Sequence, residues 1–188
     1  MNRLIAQLLF FTRLEQGTEP LHAEPTDLSE LTEMICEEQA MIRSSQIALE
    51  QEIQPDIWAD VDRGLFSRLL TNLISNAYKY GKDGGHTLVS LMKEGQDIVL
   101  KVSDDGIGMD QETLDRINSQ MTERSVRGKS QGGIAIGNVH NRIKLLFGEA
   151  YGLTVFSTRG IGTDVEITLP RTTEQDRKRI EHRAEEMK

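Results

Sequence analysis

The sequence has 188 residues, of which 37% are hydrophobic and 28% are charged, and these values fit one globular domain with short appendages. Its 22 Lys and Arg against 30 Asp and Glu give a formal net charge of −8, which argues against binding to nucleic acid or to anionic membranes. No apolar run approaches the roughly 20 residues of a membrane helix. The single cysteine, Cys36, excludes a disulfide framework.

The first residues of the chain predict one amphipathic helix. Leu4 and Phe11 lie on one apolar stripe, and Gly17 is a natural stop. This stripe is too apolar for a free helix, so we expect residues 1–17 to pack against another helix or another chain, or against their own domain. The polar, proline-bearing residues 18–26 predict a linker.

Helical and strand periodicities alternate over the next part of the chain. Asp27, followed three residues later by Glu30, predicts the capped start of a helix. Leucines spaced for one helical face predict a long helix at 65–80. Alternating apolar residues bounded by turn residues predict four strands. These strands lie at 47–53, 57–61, 87–93 and 97–103.

The remaining chain predicts two helices and a final hairpin. Asp110 caps a short helix, and the polar, basic, glycine-bearing stretch 119–133 predicts a mobile segment. A second helix at 136–146 has regularly spaced apolar residues and is followed by a glycine, and two strands at 153–169 pair across a glycine turn. The tail, 171–188, is densely charged and has almost no apolar face.

This order of elements predicts an α+β fold. Strands that pair as hairpins, with helices between them, are typical of a two-layer α/β sandwich, in which helices cover one face of a mixed sheet. The predicted domain spans 27–170, after the helix at 1–17 and the linker at 18–26 and before the tail at 171–188.

A polar stripe runs along the predicted helix at 65–80. Asn72, Asn76 and Lys79 are spaced i, i+4 and i+7, so they share one face of an otherwise apolar helix. An asparagine carbonyl can coordinate Mg²⁺, and a lysine can bind phosphate as a point charge. The alternative is that the two amides satisfy the backbone of a neighbouring loop.

Three glycine-bearing motifs follow along the chain. Residues 104–108, Asp-Asp-Gly-Ile-Gly, come directly after a strand, where glycines let a ligand approach the backbone. Residues 132–137, Gly-Gly-Ile-Ala-Ile-Gly, open a helix, and a helix start attracts phosphate. Residues 160–163, Gly-Ile-Gly-Thr, lie in the last hairpin. Taken singly, the first and last motifs are also explained as plain glycine turns.

The order of the four segments resembles the catalytic ATP-binding domain of bacterial sensor histidine kinases, which shares a superfamily with gyrase-type topoisomerases and a heat-shock chaperone. The segments are similar to its N, G1, G2 and GT boxes, and the resemblance covers about residues 27–170. It implies a Bergerat-type ATP-binding fold and the cofactors ATP and Mg²⁺. Residues 1–17 resemble the end of a dimerisation and histidine-phosphotransfer hairpin.

The resemblance implies roles for four residues at the adenine end of the site. Asp104 would accept a hydrogen bond from the adenine amine. Gly106 and Gly108 would shape the adenine pocket, and Thr163 would support it.

It also implies roles on the long helix. Asn76 would ligate Mg²⁺, with Asn72 one turn earlier supporting it, and Lys79 and Tyr80 would face the phosphates and the nucleotide. In ATP-hydrolysing relatives the position of Asn72 resembles a glutamate that activates water. An asparagine cannot take a proton at neutral pH, so we expect catalysis here to rest on positioning and on charge neutralisation by Mg²⁺.

The resemblance further implies a lid over the triphosphate, hinged at Gly133 and Gly137. Ala135 stands where the family pattern has its second glycine, which is a departure in the lid. The segment 120–147 is basic although the chain is acidic, and we expect it to supply countercharge for an anionic nucleotide. Its cationic residues are Arg124, Arg127, Lys129, Arg142 and Lys144.

The resemblance implies a protein histidine kinase whose phosphoacceptor histidine lies on an upstream dimerisation helix, because residues 1–17 contain no histidine. The implied partners are that upstream domain, a response regulator whose aspartate receives the phosphoryl group, and a second copy in a full-length homodimer. The implied location is cytoplasmic, as part of a membrane-bound sensor. Two alternatives remain open, namely a regulatory nucleotide-binding module with little transfer activity and a protein-interaction domain.

Overall fold

A computed structural model describes residues 22–42, 47–122 and 134–173. Within these ranges the chain forms four helices and seven strands. The helices are α1 (Leu28–Ile42), α2 (Arg63–Tyr80), α3 (Gln111–Thr122) and α4 (Ile134–Phe147). The strands are β1 (Glu24–Asp27), β2 (Ala48–Ile53), β3 (Trp58–Val61), β4 (His86–Glu94), β5 (Asp97–Asp104), β6 (Gly152–Thr158) and β7 (Gly162–Pro170).

Five strands form one mixed sheet in the order β2-β4-β5-β7-β6. The pair β2 and β4 is parallel, and the other three pairs are antiparallel. The helices pack against this sheet, and the alternation of buried and more exposed residues along β4 and β5 shows that they cover one face, called the inner face below. This arrangement confirms the predicted α+β sandwich, with helices on one face of a mixed sheet.

Period-two patterning puts the core between the helices and the inner face. Val89 and Leu91 of β4 and Leu100 of β5 are fully buried, whereas the residues between them are partly exposed. From the helix side, α2 contributes Leu70 and Ile74, which are also fully buried. The strong helix periodicity and the strand alternation in the sequence therefore describe the two surfaces that meet in the core.

Capping side chains start the helices where the sequence places them. Asp27 accepts a hydrogen bond from the Glu30 backbone N–H at 3.1 Å, and Asp110 accepts one from the Thr113 N–H at 2.9 Å. Asp62 caps α2 by accepting from the Leu65 N–H at 3.0 Å. The predicted helices at 65–80 and 136–146 and the predicted strands are confirmed to within a few residues.

Two local expectations are corrected. The predicted linker includes 24–26, but these residues belong to β1, which pairs antiparallel with β3 and forms a separate two-stranded sheet. The predicted mobile segment includes 119–122, but α3 continues through Thr122 because Met121 is buried in the core. The predicted helix at 1–17 and the tail beyond 173 lie outside the described residues.

Cys36 lies buried on α1. Burial, together with the nearby carboxylates of Glu33 and Glu37, raises the pKa of the Cys36 thiol to about 12, so this thiol is an apolar packing group rather than a nucleophile. No helix among the described residues is long and apolar enough to cross a membrane.

Candidate functional site

A row of four polar side chains crosses the inner face at one end of the sheet. Strand register places Thr87 of β4 opposite Asp104 of β5, Asp104 opposite Thr163 of β7, and Thr163 opposite Ser157 of β6. Direct cross-strand partners share a face, so the row Thr87–Asp104–Thr163–Ser157 follows the apolar rows of the core. The sheet thus ends in polar groups on the side that the helices cover.

Asp104 is the charged member of this row. Its Oδ1 accepts a hydrogen bond from the Gly106 backbone N–H at 2.9 Å. Partial burial raises the pKa of Asp104, and the N–H groups of Gly106 and Thr163 oppose this effect without cancelling it, while nearby Asp105 and Asp164 add to the rise. A carboxylate held at the rim of a core, with unused acceptor capacity, is suited to accept a hydrogen bond from a ligand.

Close backbone approaches build the wall beside Asp104. A Cβ on Gly106 would collide with the Tyr80 carbonyl oxygen at the end of α2. Gly108 has φ +60°, and a Cβ there would collide with the Thr158 carbonyl oxygen. Both positions therefore require a residue without a Cβ, which accounts for the two glycines and their spacing in the sequence.

Three hydrogen bonds join the segments that the motifs mark. The Ile107 N–H donates to the Tyr80 carbonyl at 3.0 Å, and the Gly160 N–H donates to the Ile107 carbonyl at 2.7 Å. The Lys82 ammonium donates to the Gly160 carbonyl at 3.1 Å. The end of α2, the loop after β5 and the turn between β6 and β7 consequently form one connected wall.

Ser157 and Thr163 fix the other end of the polar row. Their hydroxyl oxygens lie 3.0 Å apart, and the Ser157 hydroxyl also donates to the Gly162 carbonyl at 2.9 Å. The Met109 N–H donates to the Ser157 oxygen at 2.9 Å. Thr163, a predicted site residue, thus lies beside Asp104 and is held by a network that also orients the loop toward α3.

The polar stripe of α2 faces outward. Asn72, Asn76 and Lys79 are exposed, and the Lys79 ammonium lies 4.8 Å from the centre of the Tyr80 ring. Among the described residues neither asparagine side chain has a hydrogen-bond partner, so within these ranges the alternative that they satisfy a loop backbone is not realised. Within the described ranges, no protein group occupies the hydrogen-bonding atoms of either amide.

Only part of the predicted lid lies within the described residues. Gly137 is buried in the first turn of α4, so a bend at Gly137 would have to break that turn, and its hinge role stays a prediction. Gly133 and residues 123–133 lie outside the described ranges.

Three contributors to the site escaped the sequence analysis. Thr87 and Ser157 join the polar row only through strand register, which the alternation of β4 and β6 would reveal once the pairing is known. Lys82 follows the end of α2 and carries no motif signal, because its partner is a backbone carbonyl 78 residues away.

This arrangement defines an ATP-binding domain of the histidine-kinase type. Residues 61–173, more than half of the chain, match the family described as "Histidine kinase-, DNA gyrase B-, and HSP90-like ATPase", and the chain belongs to that family.

Several characterised proteins are similar to the chain. It is 28% identical over 188 residues to the autoinducer 2 sensor kinase/phosphatase LuxQ of Vibrio harveyi, covering 94% of this chain and 21% of LuxQ. It is 24% identical over 182 residues to the sensor histidine kinase WalK of Bacillus subtilis, covering 94% of this chain and 29% of WalK. The chain thus spans less than a third of either relative's length.

Solved structures agree with this fold. The mycobacterial sensor histidine kinase MprB superposes with a TM-score of 0.59 at 25% identity, covering 79% of this chain and 97% of the MprB chain. The predicted fold class and the predicted family are both confirmed.

Proposed function

We propose that this chain binds Mg-ATP between the end of α2 and the polar row of the sheet and donates the γ-phosphoryl group to a histidine on an upstream dimerisation helix. The response-regulator aspartate would then receive the phosphoryl group. The proposal rests on the position of Asp104, a hydrogen-bond acceptor at the rim of the core, next to a loop whose close backbone contacts require glycine at 106 and 108.

At the base end, Asp104 is the proposed acceptor for the adenine amine. A charge-assisted hydrogen bond in a partly desolvated place is among the stronger kinds, and the pKa of Asp104 is raised by that same desolvation. Gly106 and Gly108 would leave room for the flat base beside the loop, and Thr163 would support the pocket through its bond to Ser157.

At the phosphate end, Asn76 is the proposed protein ligand of Mg²⁺, with Asn72 supporting it. The described residues contain no group of three acidic, histidine or cysteine side chains that could hold a metal alone. This fits a magnesium ion that arrives with the nucleotide, since Mg²⁺ keeps several waters and takes few protein ligands beside phosphate oxygens. When bound, the ion would neutralise charge on the phosphates, and Lys79 and Tyr80 would face the nucleotide from the same helix.

The proposed chemistry needs no water-activating base. Asn72 is exposed on the face of Asn76, and an amide cannot accept a proton at neutral pH. Transfer would depend on positioning the γ-phosphoryl group for a histidine nucleophile. The basic segment 120–147 and the hinge glycines Gly133 and Gly137 would close over the triphosphate.

The relatives named above are sensor kinases, and the proposed partners are those that the sequence resemblance implies. The full-length protein would be a homodimer that joins through an upstream dimerisation and phosphotransfer domain, with a response regulator as the recipient. A cytoplasmic location belongs to the same proposal.

The binding part is tested by isothermal titration calorimetry with ATP and MgCl₂. The wild-type chain should bind, and Asp104→Asn should lose at least tenfold in affinity, about the value of a hydrogen bond to a charged group. Asp164→Asn is the matched control, because Asp164 lies one residue from Thr163 but pairs with Lys101 at 2.6 Å. Equal affinities of the three proteins would contradict the adenine assignment.

The transfer part is tested with a separate helix hairpin that carries a phosphoacceptor histidine. Addition of radiolabelled ATP should label the hairpin in the presence of the wild-type chain and not with Asn76→Ala. Tight ATP binding without labelling of any such hairpin would favour the regulatory alternative.

A further inference from the structure

Thr87 holds a hydroxyl group that the fold does not satisfy. It is the second residue of β4, its side chain is 0% exposed, and its Oγ1 has no hydrogen-bond partner among the described residues. A buried unpaired hydroxyl costs folding free energy that the nearly isosteric valine would avoid. The presence of this unpaired hydroxyl in the polar row therefore requires a specific explanation.

The neighbours of Thr87 in the sheet leave one polar candidate. On the β2 side its register partner is Leu49, which offers no polar side-chain atom. On the β5 side its partner is Asp104, and Cβ atoms of such pairs lie about 4.5–5.5 Å apart. A threonine hydroxyl can reach a facing carboxylate across that separation.

Asp104 has acceptor capacity for this donor. A carboxylate can accept about four hydrogen bonds, and those seen here come from the backbone N–H groups of Gly106 and Thr163. On the far side of Asp104, the Thr163 hydroxyl is already engaged with Ser157. Thr87 is therefore the one member of the polar row whose hydroxyl has no partner within the described ranges.

We propose that Thr87 is a positioning residue for the base end of the site, whose hydroxyl donates to the Asp104 carboxylate when a purine with an exocyclic amine is bound. This inference rests on the proposed ATP site. The added donor keeps Asp104 ionised and fixes its orientation, so that the remaining lone pairs face the amine of the base. Thr87 itself stays behind the carboxylate and does not touch the ligand.

The first test compares two substitutions at Thr87 by calorimetric titration with Mg-ATP. Thr87→Val should weaken binding about tenfold, the value of one hydrogen bond to a charged group, while the midpoint of thermal unfolding stays equal or rises. Thr87→Ser keeps the hydroxyl and should retain affinity within about threefold of wild type. A serine variant as weak as the valine variant would assign the effect to the lost methyl group and overturn the proposal.

Thr32→Val is the matched control. Thr32 is likewise 0% exposed with an unpartnered Oγ1, but it lies on α1 and outside the polar row. It should change thermal stability in the same direction as Thr87→Val and leave ATP affinity unchanged. If both valine variants weaken binding equally, the effect is a general one of core hydroxyls and the proposal is overturned.

A double-mutant cycle tests whether Thr87 acts through Asp104. In an Asp104→Ala background, Thr87→Val should produce no further loss of ATP affinity, as measured by NMR shift titration, which reaches millimolar dissociation constants. Additive losses would overturn the proposal.

The two proposals fail differently. Absence of ATP binding by the wild-type chain would refute the proposed function. If the wild-type chain binds ATP and Asp104→Asn weakens binding as expected, but Thr87→Val binds ATP normally, only this inference is refuted.

Discussion

Gly160 donates its backbone N–H to the carbonyl oxygen of Ile107 at 2.7 Å, which ties the turn of the last hairpin to the loop that follows β5. The side chains of both segments are uninvolved, so the contact depends on how closely the two backbones approach. That approach is possible because Gly108, next to Ile107, has no side chain where the Thr158 carbonyl lies. This part of the wall is thus held by backbone contacts, to which the Lys82 ammonium adds a side-chain hydrogen bond at the Gly160 carbonyl.

Gly108→Ala should therefore be strongly destabilising. The substitution places a Cβ on a residue with φ +60° and against the Thr158 carbonyl, so it combines conformational strain with a collision that only backbone movement relieves. We expect a loss of about 3 kcal/mol or more in the free energy of unfolding, measured by urea titration.

Gly84→Ala is the control for Gly108→Ala. Gly84 has a similar φ of +73° but no atom within 4 Å of an added Cβ, so it isolates the strain, about 1 kcal/mol. Equal losses at the two positions would show that the close approach to Thr158 does not exist in solution.

Asp104→Asn should change stability and binding in opposite directions. The folded-state pKa of Asp104 is raised, mainly by burial, so the ionised carboxylate lowers the stability of the folded protein. This loss of stability is present at neutral pH and disappears as the pH falls below the unfolded-state pKa, about 3.9. The asparagine variant should melt at a slightly higher temperature than wild type at neutral pH. The difference should vanish in acid, as followed by circular dichroism. A lower melting temperature at neutral pH would contradict the assigned burial cost.

Residues with local chemistry could be predicted from the sequence, and residues that act through pairing could not. Asp104 and Asn76 can be named as candidates because a strand end and a helical stripe are visible in the chain itself, and their roles stay predictions. Thr87 joins Asp104 only through the register of β4 with β5, and a shift of one residue would have placed it on the other face. Strand β1 was missed because its four residues contain a proline and two acids and pair across more than 30 residues with β3.

His140 should make the domain less stable in weak acid. Its Nδ1 accepts the Leu153 N–H at 3.0 Å. The pKa of His140 is lowered, mainly by burial and further by the positive charge of Lys144. The Leu153 carbonyl and Glu149 oppose this lowering. A folded-state pKa below the unfolded-state value, about 6.5, gives stability that is present above that value and is lost as the pH falls through it.

The measurement for His140 is urea unfolding at about pH 7.5 and about pH 5.5. His140→Gln should be less stable than wild type at the higher pH and should show a smaller decrease between the two. If His140→Gln retains the full pH dependence, another group is responsible for it.

Asn76→Ala should weaken ATP binding only when Mg²⁺ is present. Asn76 is exposed on α2 without a partner among the described residues, so the substitution should leave the fold intact. A single amide ligand on a largely hydrated ion contributes about one to two kcal/mol to binding, or roughly tenfold in affinity. Calorimetry with MgCl₂ and with EDTA separates the two conditions. Gln51→Ala removes an exposed amide on the edge strand β2 and should alter neither. An equal loss for Asn76→Ala in EDTA would show that this residue contacts the nucleotide directly and does not ligate the ion.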